Sequence, residues 1–74
     1  MDYKIVYYET KKDYDDGCEK IIKGKATNEE EIKNLVQSLI YDSDCYLAEA
    51  IINNVSFYAL DTYGEEWKRG SNKI

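Results

Sequence analysis

The sequence predicts an α+β domain in which one antiparallel sheet of about four strands carries a single amphipathic helix on one face. Three observations lead to this prediction. Short segments rich in aromatic and β-branched residues are separated by turn-forming dipeptides, one longer segment has apolar residues at helical spacing, and 74 residues leave room for one domain only. The expected order is β-β-α-β-β within a single domain over residues 1–74, with residues 65–74 as a loosely held tail.

The first two strands are predicted to form a hairpin. Residues 3–10 are rich in aromatic and β-branched side chains. Residues 19–26 return after a polar segment that ends in an Asp-Gly dipeptide, which tolerates the positive φ angles of tight turns. A loop over residues 14–17 sets Ile5 opposite Ala26, although a slipped register stays open.

The predicted helix follows this hairpin. Its apolar residues recur at the i, i+3, i+4, i+7, i+8 spacing of a one-sided amphipathic helix: Ile32, Leu35, Val36, Leu39 and Ile40. Ahead of this stripe, Thr27 with Glu30, or Asn28 with Glu31, can form a capping box. Glutamates in the first turn also suit the positive end of the helix dipole.

The segment after the helix allows two interpretations. Residues 46–52 and 55–61 predict a second hairpin around Asn53 and Asn54, because asparagine tolerates the left-handed conformation that a two-residue turn requires. Residues 47–52 also have good helix propensity. A short second helix in place of the third strand is therefore the alternative.

Composition limits the chemistry that the chain can perform. The net charge is −5 and there is no histidine, the residue that most often performs acid–base catalysis and binds metals near neutral pH. The two cysteines, Cys18 and Cys45, are too few for a zinc site, and no carboxylate cluster has the spacing of a calcium loop. We therefore expect no enzyme activity, no cofactor and no metal site.

The compartment is predicted from what the sequence lacks. No stretch approaches the ~20 apolar residues that a membrane-spanning helix needs, and the first residues lack a signal-peptide pattern. We expect a cytoplasmic protein without a membrane partner, in which Cys18 and Cys45 are free thiols.

The negative charge is confined to the middle of the chain. Residues 1–26 contain six acids and six lysines, whereas residues 27–66 contain nine acids and one base. Three more bases follow in residues 67–74. A single acidic segment therefore lies beside a neutral hairpin.

Strand alternation gives the sheet two different faces. In the first strand Ile5 and Tyr8 point to opposite sides, and in the last strand Phe57 and Ala59 share a face opposite Tyr58. One helix covers one face, so aromatic residues on the other face are exposed. Exposed tyrosines are typical of protein interfaces, although a small domain that cannot bury all its aromatics shows the same pattern.

Acidic and aromatic residues together make up the predicted partner-binding surface. The acids are Glu29, Glu30, Glu31, Asp42, Asp44, Glu65 and Glu66, and the aromatic residues are Tyr8, Tyr58 and Trp67. Spaced carboxylates complement the basic groove of a protein that grips phosphates, and such complementarity accelerates association. Direct nucleic-acid binding is not expected, because stacking of bases on aromatics is coupled to a positively charged groove.

In length, acid clusters, tyrosine content and one-helix layout, the chain resembles the small acidic inhibitors of phages and mobile elements, notably anti-CRISPR proteins and other DNA mimics. The resemblance implies a stoichiometric inhibitor that docks on a basic, nucleic-acid-binding surface of a larger protein or complex in a bacterial cytoplasm. The alternative is a structural or regulatory homo-oligomer, such as a homodimer, that buries its tyrosine face against itself. A third possibility is a single-stranded nucleic-acid binder that uses Tyr8, Tyr58 and Trp67.

Overall fold

The computed structural model describes residues 1–67; the side chain of Trp67 and residues 68–74, most of the predicted tail, lie outside the described part. The elements in chain order are β1 (Asp2–Tyr8), α1 (Lys11–Asp16), β2 (Lys20–Lys25), α2 (Glu29–Tyr41), β3 (Leu47–Ile52), β4 (Val55–Asp61) and β5 (Glu66–Trp67). All strand pairings are antiparallel, in the order β2-β1-β3-β4-β5, and β5 adds only two residues to the edge of four longer strands.

The predicted α+β class is confirmed, but the predicted β-β-α-β-β order is not, because α1 lies inside the first hairpin. The Thr10 hydroxyl caps this helix by accepting a hydrogen bond from the Asp13 N–H at 3.0 Å, and Gly17 ends it with a φ of 74°. Two exposed ion pairs join its successive turns: Lys11–Asp15 and Lys12–Asp16. The segment expected to be a polar loop therefore has its own cap, ion pairs and stop signal.

The register of the first hairpin differs from the predicted one. Ile5 pairs with Ile22 rather than with Ala26, a shift of four residues. The connection has to accommodate α1, so it is longer than the four-residue loop on which the prediction was based. Ala26 instead pairs with Met1: its N–H donates to the Met1 carbonyl at 2.8 Å, and the Met1 amine donates to the Ala26 carbonyl at 2.7 Å.

The second hairpin is confirmed, and the alternative of a short helix in place of the third strand is wrong. Asn53 and Asn54 connect β3 to β4 with φ angles of 55° and 64°. Positive φ at both central residues is the signature of the two-residue turn whose twist matches that of the flanking strands. The pairing of Ile52 with Val55 follows directly from this turn.

A bulge in β4 changes the direction of one side chain. The register between β3 and β4 shifts between Ala50 and Ile51, which leaves Phe57 as an extra residue. Phe57 packs against the core, and Nζ of Lys33 in α2 lies 5.9 Å from its ring centroid. Ala59 lies on the other face, since its neighbours on both sides along β4 belong to the core. The prediction that Phe57 and Ala59 share a face is therefore wrong.

The core lies between α2 and the sheet, with α2 packed against β3 and β4. Its buried members are Ile5, Ala26, Ile32, Val36, Ile40, Cys45, Ala48, Ala50, Tyr58 and Leu60. The alanines Ala48 and Ala50 are fully buried, and their small side chains let the helix approach the sheet closely. None of the helices described within residues 1–67 has the length and apolar content needed to cross a membrane.

Candidate functional site

The predicted acidic residues lie at two opposite ends of the sheet. The first turn of α2 carries Glu29 and Glu30 at the end where β1 begins and β2 stops, whereas Asp42 caps the other end of the same helix. A helix of 13 residues is about 18 Å long from its first to its last residue, at ~1.5 Å per residue. The three predicted acid clusters therefore do not form one surface.

Hydrogen bonds between backbones bring three distant segments together at the end of the sheet where α2 stops. The N–H of Tyr46 donates to the carbonyl of Tyr8 at 2.9 Å, which joins the start of β3 to the end of β1. The N–H of Thr62 donates to the carbonyl of Tyr46 at 2.8 Å, which adds the turn after β4. We call this region, residues 8–20, 41–46 and 61–66, the tyrosine end.

Five of the eight tyrosines lie at the tyrosine end: Tyr8, Tyr14, Tyr41, Tyr46 and Tyr63. Tyr14 of α1 connects two of them, with its ring centroid 5.1 Å from that of Tyr8 in an edge-to-face arrangement and 5.6 Å from that of Tyr46. Such ring pairs add about 0.5–1.5 kcal/mol beyond the area that they bury. The cluster fixes α1 against the sheet and holds the three rings in place.

Tyr8 has a carboxylate neighbour in this cluster. Its hydroxyl donates to Oε1 of Glu19 at 3.4 Å, and burial together with the charge of Glu19 raises the pKa of Tyr8 above its ordinary value. The phenol therefore stays protonated and remains a hydrogen-bond donor at neutral pH.

Tyr41 and Tyr63 extend into solvent at the tyrosine end, with 60% and 82% of their surface exposed. The hydroxyl of Tyr41 lies beside Gly64, where a Cβ atom would stand 3.1 Å from it. The carboxyl end of α2 is therefore adjacent to the turn after β4. Two exposed phenol rings lie next to the tyrosine cluster.

A buried carboxylate holds the turn that presents Tyr63. Oδ1 of Asp61 accepts hydrogen bonds from the N–H groups of Tyr63 at 2.9 Å and Glu65 at 3.0 Å. Gly64 supplies the positive φ of 80° that lets the chain reverse. The ionised acceptor and the glycine together fix the direction of this turn.

The tyrosine end carries a strong excess of negative charge. Ten carboxylates lie in its three segments: Glu9, Asp13, Asp15, Asp16, Glu19, Asp42, Asp44, Asp61, Glu65 and Glu66. The three lysines there each have a carboxylate within 4 Å: Lys11, Lys12 and Lys20. The first hairpin is neutral as a whole, but its lysines at positions 4, 23 and 25 lie toward the opposite end. The folded hairpin thus contributes acids to the tyrosine end.

Some predicted site residues have structural roles. Asn28 caps α2, because its side chain accepts a hydrogen bond from the Glu31 N–H at 3.0 Å. Glu31 in turn accepts from the N–H of Thr27, the residue before the cap, at 2.9 Å, so Asn28 with Glu31, and not Thr27 with Glu30, caps the helix. At the other end of the helix Asp42 accepts from the Ser38 hydroxyl at 3.1 Å. The carboxylate of Glu31 therefore stabilises the helix start as well as carrying charge.

Tyr58 does not belong to any exposed surface. It is 6% exposed and packs under α2, where its hydroxyl accepts a hydrogen bond from Nε2 of Gln37 at 3.2 Å. Tyr8 and Tyr58 lie on opposite faces of the sheet, because the bulge in β4 and the register of β3 place Tyr58 beside the core. The predicted pairing of these two tyrosines in one contact surface is wrong. Trp67 pairs with Ala59 through its backbone, and its side chain lies outside the described part.

The prediction missed four of the five tyrosines at the tyrosine end: Tyr14, Tyr41, Tyr46 and Tyr63. The sequence contains a signal for them, because each stands within two positions of an aspartate. Strand alternation could not find them, because all four lie in α1, at the end of α2 or in loops.

Within residues 1–67 no three carboxylate or thiol groups come close enough together to bind a metal ion. Comparisons with models of known protein families, with curated proteins and with solved structures find no match for this chain.

Proposed function

We propose that this protein is a non-enzymatic interaction module that inserts its tyrosine end into a basic, nucleic-acid-binding surface of a larger bacterial complex, of the CRISPR type or another defence type, and inhibits it by occupying that surface. The observation that carries the proposal is the coincidence, at one end of the sheet, of five tyrosines with ten carboxylates and only three lysines.

The charge at the tyrosine end supports rapid association with a basic partner. Carboxylates of one sign, held on fixed backbone segments, attract a groove lined with lysine and arginine and orient the approaching molecule. The three lysines at this end already have carboxylate neighbours within 4 Å. Asp42, Asp44 and Glu65 are exposed and form no ion pair with these lysines, so their carboxylates can bind a partner's cations.

The tyrosines supply the apolar part of the proposed contact. A phenol ring buries a large area while only two side-chain torsions lose their freedom, and its hydroxyl can still form a hydrogen bond. Tyr41 and Tyr63 are the most exposed of the five. Because Asp61 fixes the turn beneath Tyr63, little ordering of the backbone is needed on binding.

The first experiment is capture of partners from bacterial lysate with the tagged protein, followed by titration of the purified partner at several salt concentrations. Two double variants then carry the same change in charge at opposite ends of α2. The test variant is Asp42→Lys with Glu65→Lys, and the control is Glu29→Lys with Glu30→Lys. Glu31 is left unchanged because it caps the helix.

We expect the test variant to lose at least about tenfold in affinity and to flatten the salt dependence, while the control loses less than about threefold. Circular dichroism of both variants establishes that they are folded. Equal losses in the two variants, or binding that does not change with salt, would contradict the proposal.

A further inference from the structure

Lys4 and Lys23 form a pair of like charges on the face of the sheet opposite α2. They are paired directly across β1 and β2. Their neighbours Ile5 and Ile22 point to the α2 side, because successive side chains of a strand alternate between faces. Side chains paired in this way have Cβ atoms about 4.5–5.5 Å apart, and like charges placed there destabilise a sheet. The fold therefore holds two ammonium groups close together although they repel each other.

Neither of these two lysines has an acidic partner. Within the described part of the chain, no carboxylate lies within 4 Å of the amine of Lys4 or Lys23. Asp2 lies on the same face, but it pairs with Lys25, whose Nζ is 3.9 Å from its Oδ1. Glu49 of β3 is also on this face, nearer the tyrosine end. The positive charge of the pair is therefore not neutralised by a described side chain.

A cavity of about 340 Å³ lies beside the lysine pair. We call it the lysine cavity. Ile51 pairs with Lys4 across β3 and β1, so Lys23, Lys4 and Ile51 form one row across three strands. The turn after β3 closes the cavity at the end of the sheet. The residues that line it include Asp2, Lys4, Lys23, Ile51, Asn53 and Asn54.

A phosphate group matches this lining. A phosphate monoester carries about −1.5 to −2 charge at neutral pH and has three strong acceptor oxygens. It can therefore neutralise both ammonium groups at once, whereas a carboxylate has a single charge. Lysine binds phosphate as a point charge on a flexible stem, so two lysines can converge on one phosphate. Asparagine side chains add N–H donors for the remaining oxygens.

The lysine cavity has more room than a phosphate ion needs. Pockets that bind small molecules have volumes of about 300–1,000 Å³, and the lysine cavity is within this range at about 340 Å³. Ile51 is partly buried and provides an apolar surface next to Lys4. An organic group attached to the phosphate can contact this surface. The size and the apolar side therefore favour a phosphate ester over the free ion.

We propose that the lysine cavity binds the terminal phosphate of a small phosphate ester. Lys4 and Lys23 neutralise the phosphate, and Ile51 contacts the organic group. The cavity lies at the opposite end of the sheet from the tyrosine end, since Lys4 is near the start of β1 and Tyr8 is at its end. This binding goes beyond the proposed inhibitory function, and its test needs no partner protein.

Titration of the isotope-labelled full chain with phenyl phosphate tests this proposal, with amide chemical shifts measured by NMR at constant ionic strength. We expect saturation with a dissociation constant on the order of 1 mM, because the site is open to solvent. The shifts should be concentrated in residues 2–5, 22–25 and 51–54. Shifts that spread over every lysine-containing segment, or that do not saturate, overturn the proposal.

Two further probes separate the parts of the ligand. Inorganic phosphate should bind at least about threefold more weakly than phenyl phosphate, since it lacks the group that contacts Ile51. Benzoate has the same ring but one negative charge, and it should bind at least about fivefold more weakly. Equal affinity for benzoate overturns the assignment of a phosphate, and equal affinity for inorganic phosphate overturns the assignment of an ester.

Variants test the two lysines directly. Lys4→Gln and Lys23→Gln should each raise the dissociation constant of phenyl phosphate at least about fivefold, since each removes one of the two charges. The matched control is Lys20→Gln, which removes one charge from the same strand on the α2 side, where Lys20 already has Glu9 at 3.7 Å. It should change the dissociation constant less than about twofold, because salt screens distant charges. Thermal unfolding establishes that the variants are folded. Equal weakening by all three overturns the proposal, because it indicates attraction to net charge alone.

Discussion

The phenol of Tyr3 lies directly over Gly24, the residue with which it pairs across β1 and β2. A Cβ atom on Gly24 would stand 2.6 Å from the Tyr3 hydroxyl oxygen and 2.9 Å from Cζ of the ring. The glycine does not have a positive φ. Its role is therefore to leave space for the ring, which covers the exposed backbone of an edge strand.

Gly24→Ala should lower the free energy of unfolding by about 1–2 kcal/mol, because the Tyr3 ring must move away from the strand. In a Tyr3→Ala background the same substitution should stabilise by about 0.5 kcal/mol, since alanine is favoured over glycine in a strand once the obstacle is gone. Urea denaturation of the four proteins in this double-mutant cycle measures the change of sign. An equal cost in both backgrounds would show that the ring contact is not the cause.

The turn at Asn53 and Asn54 gives a second prediction. Asn54 has a φ of 64°, a conformation that glycine adopts freely and that costs a β-branched residue about 1–2 kcal/mol. Asn54→Gly should therefore raise the midpoint of urea denaturation, and Asn54→Val should lower it. Substitution of exposed Val55 by threonine serves as a control for changes near the turn. A stabilising Asn54→Val variant would contradict the turn geometry.

Asp61 should stabilise the fold through the two N–H groups that its Oδ1 accepts. Asp61→Ala should cost about 2–3 kcal/mol, because it leaves the part-buried N–H groups of Tyr63 and Glu65 without their charged acceptor. Asp61→Asn keeps an oxygen at the same position and should cost less than half as much. Thermal or urea unfolding ranks the two variants. Equal losses of stability in the two variants would show that Asp61 stabilises the fold through its charge rather than through these hydrogen bonds.

The two cysteines should differ in reactivity. Cys18 is exposed, while Cys45 is buried in the core, and burial raises the pKa of the Cys45 thiol. At neutral pH iodoacetamide should therefore modify Cys18 at least about a hundredfold faster than Cys45, since only the accessible thiolate reacts. Mass spectrometry of timed samples gives both rates. Comparable rates would contradict the burial of Cys45.

The raised pKa of Cys45 also predicts a pH dependence of stability. Between the ordinary thiol pKa and the higher folded value, the native state holds a proton that the unfolded state has released. The free energy of unfolding should therefore fall as pH rises through this alkaline window. Below the window, the protonated Cys45 thiol makes its full contribution to stability. Cys45→Ala should lose this part of the pH dependence, while Cys18→Ala should retain it. Urea denaturation over the alkaline range compares the two.

Local sequence patterns were sufficient to predict two parts of the fold. The apolar stripe of Ile32, Val36 and Ile40 predicted α2, because helical periodicity depends only on residues a few positions apart. Asn53 and Asn54 gave the second hairpin for the same reason, since a two-residue turn dictates the pairing next to it.

Other parts of the prediction were wrong because several sequence signals pointed to different local structures. Thr10 and Asp13 supply a helix cap, but the Asp-Gly dipeptide that follows is equally typical of a hairpin turn, so α1 was missed and the register of β1 with β2 was misplaced by four residues. The bulge at Phe57 has no glycine or proline to indicate it. The bulge brings Phe57 to the core side of the sheet, where Lys33 of α2 lies over its ring.

The sequence by itself determined the chemistry of this protein: an α+β chain, acidic, rich in tyrosine and without histidine. Only the tertiary structure decided where that chemistry lies. It placed Glu29 and Asp42 at opposite ends of one helix, buried Tyr58 and assembled the tyrosine end from segments far apart in the chain. The physical reason is that residue type and spacing are local properties. Distances between remote residues depend on strand pairing and on the length of the helix that crosses the sheet.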